Sequence, residues 1–254
     1  MIKNSNNSIP KENVKRTLFI ITSLLIITVL ITSFCKKRDL ELEASYKIKV
    51  KEPSGLAIND AGNVLYTVGD KTSKIYKLSI KGEVLKKIEC EGNNLEGVST
   101  FTSNKLLLAE EGAKTIIVFD LETGQGSNHK IKYKNKDKNS GIEGVSYDQN
   151  SEIIFIVNEK NPGKLIKLRK DFTVLAKFDL DFAHDYSGIF YEDSSKLLWI
   201  LSDQNKTVNK CTVDGKLIES FKIDVKQAEG IAIKNEHIYI VSDVEAKLYI
   251  FKKP

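Results

Sequence analysis

The stretch that decides the fold is Tyr186-Ser187-Gly188-Ile189-Phe190-Tyr191, followed after a short polar loop by Leu198-Trp199-Ile200-Leu201-Ser202-Asp203. Two apolar runs flank the loop, and the second run ends on a carboxylate. The same pattern opens at four other glycines: Gly55, Gly97, Gly144 and Gly230. In chain order, the five glycines are separated by 42, 47, 44 and 42 residues. A period in the forties with four strand-like segments per repeat is typical of β-propeller blades.

The fifth repeat contains only three strand-like segments before the chain ends at Pro254. An open sheet edge would leave backbone groups unpaired, so a propeller has to close its ring. Near the start of the repeats, Tyr46–Val50 alternates apolar and polar residues, which is typical of a half-buried strand. We therefore predict an all-β fold, a five-bladed β-propeller of four-stranded antiparallel blades, with Tyr46–Val50 as the outermost strand of the last blade.

The composition agrees with one domain and a short appendage. Hydrophobic residues make up 41% of the 254 residues, enough for a sizeable core, and 29% are charged. The net charge of +5 comes from lysines spread through every repeat, which indicates solvated faces and protected strand edges rather than a nucleic-acid surface. We expect no nucleic-acid partner, and we expect a monomer. The few cysteines and histidines do not cluster, which argues against zinc.

The amino-terminal segment predicts a membrane anchor. Residues 17–34 carry no charge and no proline, and Lys15 and Arg16 precede them. This layout fits a signal segment, but the run is also just long enough to span a bilayer as a helix. Cys35 resembles the lipidated cysteine of bacterial lipoproteins, although Phe34 stands where that motif has a small residue. A lipid anchor at Cys35 and a spanning anchor are both open, and both place the exported domain at the cell membrane.

Domain bounds follow from these patterns. Residues 1–35 form the basic amino terminus and the anchor, residues 36–44 a charged linker, and residues 45–254 the propeller.

Two rings of polar residues are expected around one mouth of the propeller channel. In an antiparallel meander, the start of the innermost strand lies beside the end of the second strand. An inner ring, one position before each repeat glycine, comprises Ser54, Glu96, Glu143, Ser187 and Glu229. An outer ring, at the end of each second strand, comprises Asp70, Glu111, Glu159, Asp203 and Asp243.

The rings have a structural and a functional interpretation. Aspartates often start turns by accepting hydrogen bonds from nearby backbone amides, and the inner glutamates could cap an adjacent blade. Alternatively, like charges crowded in a narrow channel require protons, hydrogen bonds or a cation. Calcium prefers carboxylate and amide oxygens. On that interpretation Glu96, Glu143 and Glu229 are the predicted metal ligands, and the outer ring with Ser54, Ser187, Asn158 and Asp185 forms the surrounding ligand site.

Several motifs occur in an order that resembles the SdiA-regulated (YjiK-like) family of bacterial β-propellers. The residues that carry the resemblance are Leu95-Glu96-Gly97-Val98, Ile142-Glu143-Gly144-Val145, Tyr186-Ser187-Gly188-Ile189, Leu201-Ser202-Asp203 and Gln227-Ala228-Glu229-Gly230-Ile231-Ala232. The resemblance covers residues 45–254 and implies a propeller, membrane association and a ligand site, but no defined activity. The Glu-Gly-Ile/Val starts also resemble, more distantly, calcium-dependent lactonase and phytase-like propellers.

Two functions from different classes are therefore open. The first is a membrane-tethered, non-catalytic binding or interaction propeller whose acidic mouth takes a cation such as Ca²⁺ or a small cationic ligand. The second is a calcium-dependent hydrolase of lactones or phosphate esters, with a metal-bound water as nucleophile. Hydrolysis would call for a base beside the metal, ideally a histidine. None is convincingly placed, which favours binding.

Overall fold

Five antiparallel sheets, each beginning with one of the sequence repeats, make up the propeller. The structure is a computed structural model that describes residues 38–133 and 141–254. The compact unit that holds the blades extends from Asp39 to Pro254. The predicted all-β, five-bladed architecture is confirmed.

In the first four blades the strands of each repeat form a meander that runs from the channel outward, whereas the fifth blade takes its outermost strand from before the first repeat. Two strands precede the repeats: the two-residue β1 (Arg38–Asp39) and the six-residue β2 (Leu42–Lys47). The strands of the first two blades are β3 (Pro53–Ile58), β4 (Val64–Gly69), β5 (Lys74–Ser79), β6 (Val84–Glu89), β7 (Leu95–Thr102), β8 (Lys105–Glu110), β9 (Thr115–Asp120) and β10 (Gly126–Lys130). The strands of the last three are β11 (Ile142–Asp148), β12 (Ile153–Asn158), β13 (Lys164–Arg169), β14 (Val174–Asp179), β15 (Gly188–Glu192), β16 (Leu197–Ser202), β17 (Thr207–Cys211), β18 (Leu217–Lys222), β19 (Ala228–Lys234), β20 (His237–Ser242) and β21 (Lys247–Lys252).

The burial of the strands follows their distance from the channel. Every residue of β3 is buried, whereas β14 alternates half-buried and exposed residues because one of its faces meets solvent. Hydrophobic clusters fill the space between adjacent blades. One cluster joins Leu56 and Leu65 of the first blade to Val241 and Leu248 of the last. Burial between sheets, rather than within one sheet, therefore holds the blades together.

The ring closes as predicted, but the closing strand begins earlier. β2 pairs antiparallel with β21, from Leu42 opposite Phe251 to Lys47 opposite Lys247. The closing strand predicted from the sequence was Tyr46–Val50, because its apolar residues alternate with lysines. In the structure Ile48 and Val50 are buried, but they lie beyond β2 and pack in the hydrophobic cluster between the last and first blades. The predicted linker over 36–44 consequently contains β1 and the start of β2. In the sheet order, β1 follows β18 as a fifth strand of the fourth blade.

The anchor predictions cannot be compared with this structure, since the apolar segment at 17–34 and Cys35 lie outside the described residues. Among the residues that are described, no helix is long and apolar enough to cross a membrane.

Candidate functional site

A cavity of about 300 Å³ opens at the end of the channel where the inner strands begin. All five inner-ring residues line it, and so do four outer-ring residues: Asp70, Glu159, Asp203 and Asp243. The other lining residues are Glu52, Asp185, Gln204 and Gln227. We call this space the acidic cavity. The structure therefore brings the two predicted rings together, with Glu111 and Asn158 outside the set that lines it.

Close backbone contact between neighbouring inner strands makes this end of the channel narrow. A Cβ atom on Gly230 would lie 2.4 Å from the carbonyl carbon of Gly55, and one on Gly55 would lie 2.8 Å from the Cα of Gly97. No L side chain fits at such distances. Gly55 also has a φ of +60°, which favours glycine. Gly55 and Gly230 thus let neighbouring inner strands converge, and the residues that precede them are forced into a small space.

A repeated backbone hydrogen bond places the outer ring. In the first, second, third and fifth blades, the N–H of the outer-ring residue donates to the carbonyl of the residue two positions before the inner ring. Those acceptors are Glu52, Asn94, Gly141 and Gln227. In the fourth blade the Asp185 carboxylate accepts from the Gln204 N–H, at 3.0 Å. This contact holds the start of one strand against the end of the next.

The position two residues before the inner ring also holds three lining or supporting residues that the sequence analysis missed. Glu52 and Gln227 line the cavity, and Asn94 Nδ2 donates to the Glu111 carboxylate at 2.6 Å. All three adopt left-handed backbone conformations, with φ values of 49°, 42° and 56°. The available signal was the repeat itself, because Glu52, Asn94 and Gln227 each stand two residues before an inner-ring position that had already been identified.

The turn interpretation of the outer aspartates is not supported by their contacts. In the described residues, the turns after Asp203 and Asp243 are closed by backbone carbonyls accepting from Lys206 and Ala246. The Asp203 carboxylate instead accepts from Ala228 N–H of the next blade, at 3.1 Å, and pairs with Lys206. Asp70 Oδ1 is buried without a hydrogen-bond partner in the described structure. The three aspartates thus line the cavity, and within residues 141–254 neither the Asp203 nor the Asp243 turn is closed by a carboxylate accepting from a backbone amide.

Asn158 has a different role from the one predicted. Its side-chain amide donates to the carbonyls of Lys160 and Pro162, both at 3.1 Å, and accepts from the Tyr133 hydroxyl at 2.9 Å. The side chain is buried and does not line the acidic cavity. Asn158 therefore holds the loop that follows β12 in place.

Three glutamates of the second and third blades converge on one point. Glu111, Glu143 and Glu159 each offer a carboxylate oxygen, and these three oxygens lie within 4.8 Å of one another. The predicted metal ligands were Glu96, Glu143 and Glu229, so only Glu143 belongs to both sets. Glu96 is instead held by the Ser54 hydroxyl, which donates to its Oε2 at 2.8 Å. We call Glu111, Glu143 and Glu159 the carboxylate trio.

The electrostatics of the acidic cavity favour protonation. Burial, and then repulsion from Glu96, Glu111, Glu159 and Glu229, raises the pKa of Glu143 well above its usual range. Burial and the nearby acids likewise raise the pKa of Glu229 to about 9. For Glu96 the same effects outweigh the Ser54 hydrogen bond and raise the pKa to about 7.

The outer ring shows the same tendency more weakly. Burial raises the pKa of Asp70 and of Asp243, and for both of them Glu52 adds repulsion. Burial also raises the pKa of Glu159, although its ion pair with Lys160 opposes the shift. The cavity as a whole therefore needs positive charge, supplied either as bound protons or as a cation.

Comparisons with known proteins agree with the fold. Three solved structures share the architecture at low sequence identity, which shows the fold alone. A streptogramin B lyase is 18% identical over 83% of this chain and 72% of its own, with a TM-score of 0.51. Virginiamycin B lyase from Staphylococcus aureus is 16% identical over 80% and 66%, also with a TM-score of 0.51. Glutaminyl cyclase from Myxococcus xanthus is 11% identical over 85% and 97%, with a TM-score of 0.66.

The family assignment rests on a separate match. The model of the SdiA-regulated family matches residues 37–252, which include all five blades. The resemblance noted from the sequence motifs is confirmed, and the chain belongs to the SdiA-regulated family.

Proposed function

We propose that this chain is a membrane-tethered, exported binding propeller whose acidic cavity takes a divalent cation, with calcium as the best fit, or a small cationic ligand. The observation that carries the proposal is the carboxylate trio, whose oxygens converge within 4.8 Å beside a cavity lined by further acids. Calcium binds oxygens at about 2.3–2.6 Å, so two ligands on opposite sides of one ion lie about 4.6–5.2 Å apart. The spacing of the trio fits such an ion.

The contacts of Glu143 support its assignment as the central ligand. Within the described part of the chain its carboxylate accepts no hydrogen bond, while four other glutamates repel it. Glu111 and Glu159 are each positioned by one neighbour, Asn94 and Lys160 respectively. A cation between the three would replace protons that the crowding otherwise retains. The remaining carboxylates around the cavity, including Glu96 and Glu229, would supply water-mediated contacts or hold a cationic group.

The membrane tether rests on the sequence alone. The apolar run at 17–34 and Cys35 favour an anchor, either spanning or lipid-linked, with the propeller on the exported side. Labelling with a radioactive fatty acid separates the two forms. If Cys35→Ala abolishes the label and releases the protein from the membrane, the anchor is lipid. If the variant stays in the membrane fraction and the wild type takes no label, the anchor spans.

Thermal unfolding of the full chain in detergent tests cation binding. A ligand that binds only the folded ring stabilises it by about 2.7 kcal/mol at a hundred times its Kd, so the melting temperature should rise with calcium and fall with chelator. Glu143→Gln should remove most of that response while keeping the fold. Glu236→Gln, an exposed glutamate at the other end of the channel, is the matched control.

The proposal fails if the melting temperature is indifferent to calcium, magnesium and chelator alike. In that case the glutamates of the acidic cavity are protonated and have a structural role only. An equal loss of response in Glu236→Gln would also contradict it, because the effect would then be one of net charge.

A calcium-dependent hydrolase of lactones or phosphate esters is the second candidate, favoured by one observation. The pKa of Glu96 is raised to about 7, which suits a general acid or base at neutral pH, and Glu96 is among the groups that repel Glu143. No histidine lines the acidic cavity in the described residues. Calcium-dependent turnover of a lactone or phosphoester panel, lost in Glu96→Gln, would establish this activity. Calcium binding without turnover leaves the binding function.

A further inference from the structure

The opposite end of the channel contains a second and larger cavity, of about 750 Å³. It lies where the inner strands end, and its volume falls within the range of small-molecule sites, about 300–1,000 Å³. It shares no lining residue with the acidic cavity. We call it the distal cavity.

Phe190 forms the floor of the distal cavity. Two positions after the repeat glycine, the other blades carry Ala57, Ser99, Ser146 and Ala232, which are small and buried. The fourth blade carries Phe190, which is only partly buried. Its ring packs against the cluster between the fourth and fifth blades and also against the cluster between the fifth and first blades. Phe190 therefore reaches across the channel and presents an aromatic surface to the distal cavity.

Further apolar groups surround this floor. The Phe101 and Tyr147 rings meet edge to face with centroids 4.7 Å apart, and both line the cavity. Ile58 and Ile233 also line the wall. A ligand with a flat apolar face would gain about 25 cal/mol for each Å² of apolar surface that it buries here.

The polar groups of the distal cavity do not create a strong field of either sign. Glu192 pairs with Lys253 at 2.6 Å, and Asp193 pairs with Lys196 at 2.5 Å. The charges that remain on the rim, Asp60, Lys234 and Glu236, are of mixed sign and lie towards solvent. Hydroxyl and amide groups make up the other polar lining, among them Ser146, Gln149 and Asn235. The cavity therefore suits a neutral ligand that forms hydrogen bonds.

We infer that the distal cavity is a second binding site, specific for a neutral hydroxylated ring such as a saccharide unit. A sugar ring combines one apolar C–H face, which stacks on Phe190, with hydroxyls at its edge, which reach the serine, amide and rim groups. This site is independent of the cation site, because the two cavities share no lining residue and open at opposite ends of the inner strands.

Saturation-transfer NMR and calorimetry on the full chain, in a detergent without a sugar headgroup, test this inference. The probes are glucose, galactose, N-acetylglucosamine and their β-linked disaccharides, with a neutral aromatic amide as the comparison compound. At least one sugar should bind, and Phe190→Ala should weaken it by about tenfold or more, since tenfold corresponds to 1.4 kcal/mol. Phe182→Ala removes a half-buried phenylalanine that lines neither cavity and should leave the affinity unchanged.

Tyr147→Ala serves as the second variant if Phe190→Ala does not fold, because Tyr147 is half-buried on the wall. It should also weaken the sugar. The inference is overturned if no member of the panel binds, if only the aromatic amide binds, or if both substitutions leave the affinity unchanged. Calcium or chelator should not alter sugar binding, so a failure here does not bear on the cation site.

Discussion

The same five inner strands form both mouths of the channel, yet the pKa of a buried glutamate shifts in opposite directions at the two mouths. At the acidic cavity, burial and neighbouring acids raise the pKa of Glu229 to about 9. At the distal cavity, burial alone would raise the pKa of Glu192, but hydrogen bonds from Lys253, Ser195 and Trp199 hold it below its ordinary value. The comparison teaches that the partners of a carboxylate, rather than its depth, decide whether it stabilises the fold.

Glu192→Ala should cause the largest change in stability. Glu192 is buried and accepts from Trp199 Nε1 at 3.0 Å, from Ser195 Oγ at 2.6 Å and from Lys253 Nζ at 2.6 Å. Removing the carboxylate deprives Lys253 and the fully buried indole N–H of Trp199 of their acceptor, at an expected cost of about 3 kcal/mol in the free energy of unfolding. Urea unfolding measures this loss.

A substitution of the partner is the control for that experiment. Lys253→Met removes the cation but leaves Glu192 its other two donors, so its cost should be smaller. Equal stability of the wild type and Glu192→Ala would show that the network at the distal cavity contributes nothing.

The two glutamates should also give opposite pH dependence. A carboxyl group with a raised pKa binds more protons in the folded state, so the contribution of Glu229 falls as pH rises from about 4.5 towards 9. Glu192 has a lowered pKa, so its stabilisation is present above the unfolded value and is lost as pH falls through the folded pKa. Chelator-treated Glu229→Gln should therefore lose less stability than the wild type between pH 5 and pH 9. An equal loss in both would contradict the assignment.

Gly141→Ala should displace Glu111, one member of the carboxylate trio at the acidic cavity. A Cβ at this position would lie 2.4 Å from Glu111 Cγ and 2.6 Å from the Glu111 carbonyl oxygen, so Glu111 has to move. We expect about tenfold weaker calcium binding and a loss of about 1–3 kcal/mol in the free energy of unfolding. Gly112→Ala is the matched control, because its added Cβ would meet no atom within 4 Å. Unchanged calcium affinity in Gly141→Ala would exclude Glu111 as a ligand.

Lys160→Met should have the smallest effect. The direction of its change in calcium affinity shows whether the lysine opposes or supports cation binding. Lys160 pairs with Glu159 and thus competes with a cation for that carboxylate. Since partly exposed ion pairs contribute about 0–1 kcal/mol, calcium should bind about two- to fivefold more tightly in the variant. Lys164→Met, which breaks a pair with Asp179 on the outer strands, is the control. Weaker calcium binding in Lys160→Met would mean that the lysine supports the site.

Local patterns explain why the fold and the two rings could be predicted. The repeat glycines and the alternation of side chains are short-range signals, and antiparallel pairing then places Glu143 and Glu159 on one face. The bounds of the closing strand were shifted because alternation reports burial, which Ile48 has without belonging to β2.

Contacts between blades explain what could not be predicted. The approach of Glu111 to Glu143 depends on Gly141, whose missing side chain makes room for a residue of another repeat. The packing of Phe190 against two inter-blade clusters depends in the same way on residues of other blades. Neither contact is encoded within one repeat, so a repeat-by-repeat comparison cannot find them.

The pairing of β2 with β21 has a consequence for how the protein is made. Leu42 pairs with Phe251, so a strand from the start of the propeller obtains its partner only when the final strand has been synthesised. Bringing β2 and β21 together costs conformational entropy before their contacts can stabilise the pair, and strands so distant in sequence pair slowly. Until then the growing chain carries an unpaired strand at each end, each able to associate with other chains. The pairing of β21 therefore decides whether β2 becomes protected, and closure of the ring is a late step in folding.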